Sequence, residues 1–186
     1  MKKTLLVLAM ALLAVLFVAC ASEPADEPAA ASAAPAAAAP VIAETKPVET
    51  VAFEGKELKI ELEAMSLTNI ELYDDKNASG GKAVKIIADD STAIINVTLP
   101  KGDYTGLVNE LSPGGWADAF YVFIDETPYR CFPSDPPIGD WELTERTPMA
   151  ISIPEDKTVQ IKITPHSAAR KGETGMSLDY IIITKD

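Results

Sequence analysis

Residues 93–111 read Ala93-Ile-Ile-Asn-Val-Thr-Leu-Pro-Lys-Gly-Asp-Tyr-Thr-Gly-Leu-Val-Asn-Glu-Leu111. Two runs rich in Val, Ile, Leu, Thr and Tyr flank a Pro-Lys-Gly tripeptide, which predicts strand, reversal, strand. Pro100 and Gly102 fall where a tight hairpin needs a fixed φ and a permissive one. The same grammar extends outward in both directions, with strands expected at 58–64, 70–73, 83–87, 93–99, 104–111, 119–125, 129–132, 149–153, 158–164 and 178–184. Ser112-Pro-Gly-Gly115 marks a second reversal. No amphipathic helix and no internal repeat interrupts the series. Short strands at this spacing over residues 51–186 predict one all-β domain, a β-sandwich with a single core.

Ahead of that domain the composition changes. Lys2 and Lys3 precede a charge-free apolar run at 5–18 and a small residue, Ala19, the layout of an export signal over 1–19. The run is short of the ~20 residues that span a bilayer. Phe17-Val-Ala-Cys20 resembles the bacterial lipobox, which implies a diacylglycerol on Cys20 and cleavage just before it. An ordinary secretory signal and a membrane-spanning anchor are the alternatives. Residues 21–40 contain 11 Ala and 4 Pro, and with Pro47 beyond them the prolines deny the alanines a helix. Residues 20–50 are therefore expected to be a lipidated cysteine followed by a disordered tether. At ~3 Å per residue it could reach ~90 Å.

The chain carries 28 acidic against 16 basic residues, a net charge of −12, and two of its lysines lie in the signal. Such a surface repels nucleic acid and anionic headgroups, so an anionic ligand needs a local basic group or a bridging cation. With Cys20 acylated, Cys131 has no partner in the chain. Its strand-like setting favours a buried thiol over an intermolecular disulfide.

Carboxylates on two apolar strands call for an explanation. Leu58, Ile60 and Leu62 alternate, which places Glu61 and Glu63 together on the other face. In Ser177-Leu-Asp-Tyr-Ile-Ile-Ile-Thr184, Asp179 falls on the face of Ile181 and Ile183, where an unpaired charge is unfavourable. If the first and last strands are neighbours, the three carboxylates converge, and like charges bearing only oxygen favour a hard cation such as Ca²⁺. Solvent-facing glutamates and an Asp179–lysine pair are the plainer alternative.

Ile60-Glu-Leu-Glu63, Asn77-Ala-Ser-Gly-Gly-Lys82, Leu99-Pro-Lys-Gly-Asp-Tyr104, Asp118-Ala-Phe-Tyr-Val-Phe-Ile-Asp125 and Ser177-Leu-Asp-Tyr-Ile-Ile-Ile-Thr184 resemble, in this order, segments of carbohydrate-binding modules of the family 6 and family 35 type. The resemblance spans nearly all of 51–186. It implies a galactose-binding-like jelly roll without catalysis of its own. It further implies a structural calcium held by Glu61, Glu63, the main-chain carbonyl of Lys82 and Asp179. Sugar recognition depends on aromatic rings and a few polar groups. Trp116 and Trp141 both stand in loop-like sequence, with Asp118, Arg130 and Asp140 near them as hydrogen-bonding groups and Tyr129 as a second platform. Against this, each tryptophan could cap the core, and Arg130 could form an ion pair. Tyr121 and Phe123 share one face of a strand that is apolar on both, which assigns them to core packing, with a binding cleft on a concave face as the alternative.

Catalysis is not expected. His166 is the single histidine and sits in Pro165-His-Ser-Ala-Ala169, and no nucleophile elbow or zinc-site spacing accompanies it. The sequence thus leads to a monomeric, non-catalytic polysaccharide- or oligosaccharide-binding module. The Cys20 lipid would hold it to a membrane, the outer one in a two-membrane bacterium because Ala21 is not Asp. A structural or protein-interaction module of the same fold is the other reading.

Overall fold

The computed structural model describes residues 41–112, 119–132, 139–165 and 175–186. The expected signal, Cys20, the Ala/Pro tract to Pro40, the Ser112–Gly115 reversal beyond Ser112, and His166 lie outside them. Among the described residues the secondary structure is strand, with two single 3-10 turns at Leu62–Ala64 and Ser79–Gly81. The strands are β1 (Thr50–Ala52), β2 (Glu57–Glu61), β3 (Ser66–Thr68), β4 (Ile70–Asp74), β5 (Lys82–Ile86), β6 (Thr92–Leu99), β7 (Gly102–Leu111), β8 (Phe120–Ile124), β9 (Thr127–Cys131), β10 (Glu142–Leu143), β11 (Met149–Ile153), β12 (Lys157–Pro165) and β13 (Ser177–Lys185).

They form two sheets. One runs β1-β6-β12-β8-β9, with β3 also on β6; the other runs β10-β7-β13-β5-β4, with β11 on β7 and β2 on β13. Ile95, Val97, Phe120, Val122, Ile161 and Ile163 from the first sheet meet Ile60, Val84, Val108, Met149, Ile181 and Ile183 from the second, all nearly inaccessible. This is the β-sandwich that the strand spacing predicts, in the jelly-roll form that the resemblance implies. Strict period-2 burial in β6 and β12 specifies which face turns inward.

Four details differ from the sequence reading. The Leu99–Asp103 reversal closes no hairpin: β6 and β7 belong to different sheets, so Pro100 and Gly102 turn a corner of the sandwich. The expected strand 58–64 stops at Glu61, and Glu63 sits in the 3-10 turn that follows. β1, β3 and β10, each two or three residues long, carry too little pattern to stand out. Finally, part of the segment assigned to the tether joins the sandwich. Ile42 bridges Glu71, the Ala43 N–H donates to Ile70 O at 2.9 Å, the Leu72 N–H to Val41 O at 3.0 Å and the Ser66 hydroxyl to Lys46 O at 2.6 Å. Residues 41–43 thus lie along the free edge of β4, and Lys46 and Glu49 carry the chain past Ser66 and Asn96 to β1, which pairs in parallel with β6.

Candidate functional site

β2 and β13 are neighbours, Ile60 opposite Ile181 and Glu61 opposite Tyr180. β13 does not run straight through that register. Against β7 it shifts by one residue between Leu178 and Ile181, and a bulge of this kind reverses the alternation. Asp179 is therefore turned away from the inward face of Ile181 and Ile183, contrary to simple periodicity. Its Oδ2 accepts from the Ser79 N–H at 2.9 Å and from Asn109 Nδ2 at 3.0 Å.

Glu61 and Glu63 reach the same place from β2 and the turn after it. Glu61 Oε1 accepts from the Ser79 hydroxyl at 2.8 Å and lies 3.0 Å from Lys59 Nζ, which also donates to that hydroxyl. The Ser79–Gly81 turn closes over them with Gly80 at φ +65°, and a Cβ there would stand 3.5 Å from Glu63 Oε1. Glu61 Oε2, Glu63 Oε2 and Asp179 Oδ1 are each buried without a hydrogen-bond partner. Burial first, then the charges of Glu61 and Asp179, hold the Glu63 carboxyl above its ordinary range. Burial and the Glu61 charge do the same to Asp179, against the hydrogen bonds from Ser79 and Asn109.

Three buried oxygens without partners, one on each carboxylate, are the donor chemistry that a hard divalent cation takes. As they are placed, however, no three Asp, Glu, His or Cys side chains among the described residues could hold a metal ion, and the Lys59 ammonium lies against one oxygen of Glu61. Lys82 opens β5 directly after the Gly80-Gly81 turn, and its exposed ammonium pairs with Asp74 at 2.8 Å.

Of the six residues expected to bind sugar, the four that are described, Tyr129, Arg130, Asp140 and Trp141, are not brought together. Trp116 and Asp118 lie outside the described residues. Trp141 is half-buried, with its indole N–H donating to Asp75 Oδ2 at 3.2 Å, and Asp140 Oδ1 accepts from the Trp141 backbone at 2.8 Å. Tyr129 and Arg130 are on β9, in the other sheet, and alternate to opposite sides of it. The Tyr129 hydroxyl donates to Ala150 O at 2.7 Å, tying β9 to β11 beside a cleft of ≈ 360 Å³. Arg130 is exposed, 5.1 Å from the Phe132 ring. Cys131 is fully buried, and burial followed by the Glu110 carboxylate pushes its thiol up to about 12.

Tyr121 and Phe123 are not in the core. β8 pairs with β12 so that Tyr121 stands opposite Thr164 and Phe123 opposite Lys162, positions that alternate with the buried Ile161 and Ile163. Both rings are partly exposed on the outer face of the first sheet, centroids 6.0 Å apart, with Lys162 Nζ 4.7 Å from the Phe123 centroid. Across β9, Arg130 flanks Tyr121 and Pro128 flanks Phe123. The outward positions of β6 and β12 are Thr92, Ile94, Asn96, Thr98, Thr158, Gln160, Lys162 and Thr164. None is acidic. By contrast the outer face of the second sheet carries Glu57, Glu61, Glu71 and Asp179. That face holds a cleft of ≈ 310 Å³ among Glu71, Tyr73, Lys85, Leu111 and Ser177.

The aromatic face was hidden from the sequence, because both parities of its strand are apolar and only the pairing with β12 shows which one is outward. Val122 and Ile124 share a parity with Phe120, and a strand between two sheet neighbours buries one parity and exposes the other. Ser79 and Asn109 had no signal either, because a turn brings the one to the acidic cluster and a bulge the other, whereas Lys59 shares a face of β2 with Glu61.

No family model matches the sequence, and no curated protein matches it. Solved structures do match in fold. A GH26-CBM35 β-(1,4)-mannanase from Podospora anserina aligns at TM-score 0.56 and 12% identity, over 70% of this chain and 28% of that one. The C-terminal family 6 carbohydrate-binding module of LamC, a marine laminarinase from Zobellia galactanivorans, aligns at TM-score 0.53 and 19% identity, over 69% of this chain and 99% of that one. A cycloalternan-forming enzyme from Listeria monocytogenes aligns at TM-score 0.54 and 19% identity, over 67% of this chain and 12% of its own. The chain spans about a quarter of the mannanase and nearly the whole of the LamC module. The described sandwich therefore has the fold of carbohydrate-binding modules of families 6 and 35.

Proposed function

We propose that this protein binds a polysaccharide or oligosaccharide without cleaving it, through the outer face of the β1-β6-β12-β8-β9 sheet. The observation that carries this reading is the partly exposed pair Tyr121 and Phe123 on a face whose other outward positions are mostly threonine, asparagine and glutamine. Aromatic faces pack on the apolar faces of pyranose rings, and the surrounding amides and hydroxyls suit sugar hydroxyls. The likeness in fold to family 6 and family 35 modules supports the same reading. Tyr73, which lines the ≈ 310 Å³ cleft of the other sheet, and the half-buried Trp141 are further aromatics among the described residues.

Two further parts belong to the proposal. A calcium ion would be held by Glu61, Glu63 and Asp179 with the main-chain carbonyl of Lys82. There it would neutralise the converging carboxylates and fix the turn at Ser79–Gly81. Lipidation of Cys20 would display the domain at the cell envelope, with residues 21–40 as tether; the lipobox-like Phe17-Val-Ala-Cys20 supports it. Mass spectrometry of the membrane fraction tests the anchor: a diacylglyceryl Cys20 at the new N-terminus is expected, and an unmodified or internal Cys20 would refute it. Sugar binding is tested by retention on immobilised polysaccharides, with Phe123→Ala predicted to weaken it about tenfold, or ~1.4 kcal/mol.

A further inference from the structure

We infer that the free edge of β11 is a docking site for an extended polypeptide bearing a lysine or arginine, which joins the second sheet as a further strand. An open strand edge presents unpaired N–H and C=O groups, and folded proteins guard such edges with charge, proline, short length or a covering segment. Among the described residues the edges of this sandwich follow that rule, with one exception. β2 carries Glu57, Lys59 and Glu61, β4 is covered by residues 41–43, and β9 carries Pro128 and Arg130. β1, β3 and β10 are only two or three residues long. β11, Met149-Ala-Ile-Ser-Ile153, runs five residues with no charge and no proline, and pairs with β7 alone. The Tyr129 hydroxyl reaches Ala150 O from the direction of β9, so the main-chain groups of Ala150 point away from β7. By the alternation of an antiparallel ladder those of Ser152 do the same. The Ala150 N–H, the Ser152 N–H and the Ser152 C=O make no hydrogen bond among the described residues, and both side chains are small and exposed. A strand can therefore approach this edge closely.

The groove beside the edge says what kind of strand fits. It encloses ≈ 360 Å³ between β11 and the turn from β8 to β9, with Ile124, Ile151 and Ile153 as its apolar lining and Asp125, Glu126 and Lys157 as its charged one. An added strand turns every second side chain the same way, so small or β-branched residues at alternate positions meet the isoleucines. Lys157 is committed to Asp125 at 2.9 Å. Glu126 is exposed and forms no ion pair among the described residues. A lysine or arginine on the incoming strand supplies the charge that Glu126 lacks. A second copy of this chain fits poorly, because its own β11 brings no cation and two chains of net charge −12 repel one another. A glycan has no row of N–H and C=O groups at strand spacing, so the occupant is a polypeptide, and the site stands apart from the sugar face.

The test is amide NMR of the isotope-labelled full chain, titrated with a short acetylated peptide of alternating valine and threonine that ends in an amidated lysine. Two further probes are the same peptide ending in glutamate and the lysine peptide N-methylated throughout, which has no backbone donors on either edge. The lysine peptide should shift the Ala150 and Ser152 amides saturably, with a Kd of about 1 mM. The glutamate peptide should bind about fivefold more weakly, and the N-methylated one should not bind. Glu126→Lys, at an exposed turn position, should invert the preference between the two charged peptides. Tyr129→Phe, which frees Ala150 O, should tighten the lysine peptide about threefold. No saturable shift at Ala150 and Ser152 with any peptide would overturn the inference. Shifts that survive N-methylation would mark side-chain adhesion to the groove and overturn strand addition. Shifts at the same amides that grow with protein concentration in the absence of peptide would assign the edge to a second copy and overturn the choice of partner.

Discussion

Glu63 offers a prediction in which the sign itself is diagnostic. Without a metal, its Oε2 is buried and unpartnered beside Glu61 and Asp179, and an unsatisfied buried acceptor costs about 1–3 kcal/mol. Glu63→Gln keeps the shape, removes one of three like charges and supplies a donor. In EDTA at about pH 7 the variant should therefore be more stable than the parent by about 1–2 kcal/mol. At roughly 4 °C per kcal/mol for a domain of this size, its melting temperature should rise by ~4–8 °C. Calcium should invert the order. If the parent binds it with a Kd of ~10 µM, ~1 mM calcium adds about 2.7 kcal/mol, or ~10 °C, and the variant, short of one charged ligand, should gain little.

The pH dependence follows from the same groups. Carboxyls whose folded values are raised, Glu63 and Asp179, favour the fold when protonated. Their contribution is present at low pH and lost as pH rises through the raised values. In EDTA the parent should thus gain stability from these two groups on going from about pH 7 toward about pH 5, and in calcium it should lose stability as protons displace the ion. Differential scanning calorimetry in the four conditions reads all of this. A Glu63→Gln variant less stable than the parent in EDTA, or a parent whose melting temperature ignores calcium, would contradict the converging-carboxylate site.

Three other outcomes are expected. Gly80→Ala forces an L-residue into φ +65° and places a methyl 3.5 Å from Glu63 Oε1; it should lower stability by about 1–2 kcal/mol in denaturant titration, and no loss would argue against a tight turn closing over the acidic cluster. A chain beginning at residue 51 loses the bonds made by Val41, Ala43, Lys46 and Glu49. At about 0.5–1.5 kcal/mol each before the ordering entropy is subtracted, it should be roughly 2 kcal/mol less stable than one beginning at residue 41, and equal stabilities would contradict the docking of that segment. Cys131, buried with its thiol pushed up to about 12, should resist a charged thiol reagent in the native state and react on unfolding; prompt native labelling would show that it is accessible.

What the sequence disclosed and what it hid divide along physical lines. The long strands were legible because a buried face repeats every second residue, as in Ala93, Ile95, Val97 and Leu99. Convergence of Glu61, Glu63 and Asp179 was legible from unexplained carboxylates on apolar strands, but for Asp179 the periodic argument assigned the wrong face, since a one-residue bulge is invisible to it. Pro100 and Gly102 specify a reversal and say nothing of whether the next strand pairs back or crosses to the other sheet. Tyr121 and Phe123 were hidden by composition: a strand apolar on both faces looks central, and only its pairing with β12 shows which rings face outward.

Whether the Tyr121–Phe123 face holds a sugar is decided by isothermal titration of the full chain with an oligosaccharide from whichever polysaccharide retains it, alongside Phe123→Ala and Trp141→Ala. Saturable binding that Phe123→Ala weakens about tenfold, with an unchanged melting temperature, is the expected result. Binding that is indifferent to Phe123→Ala and lost with Trp141→Ala would place the site on the other sheet, and retention of no glycan with or without calcium would contradict the function itself.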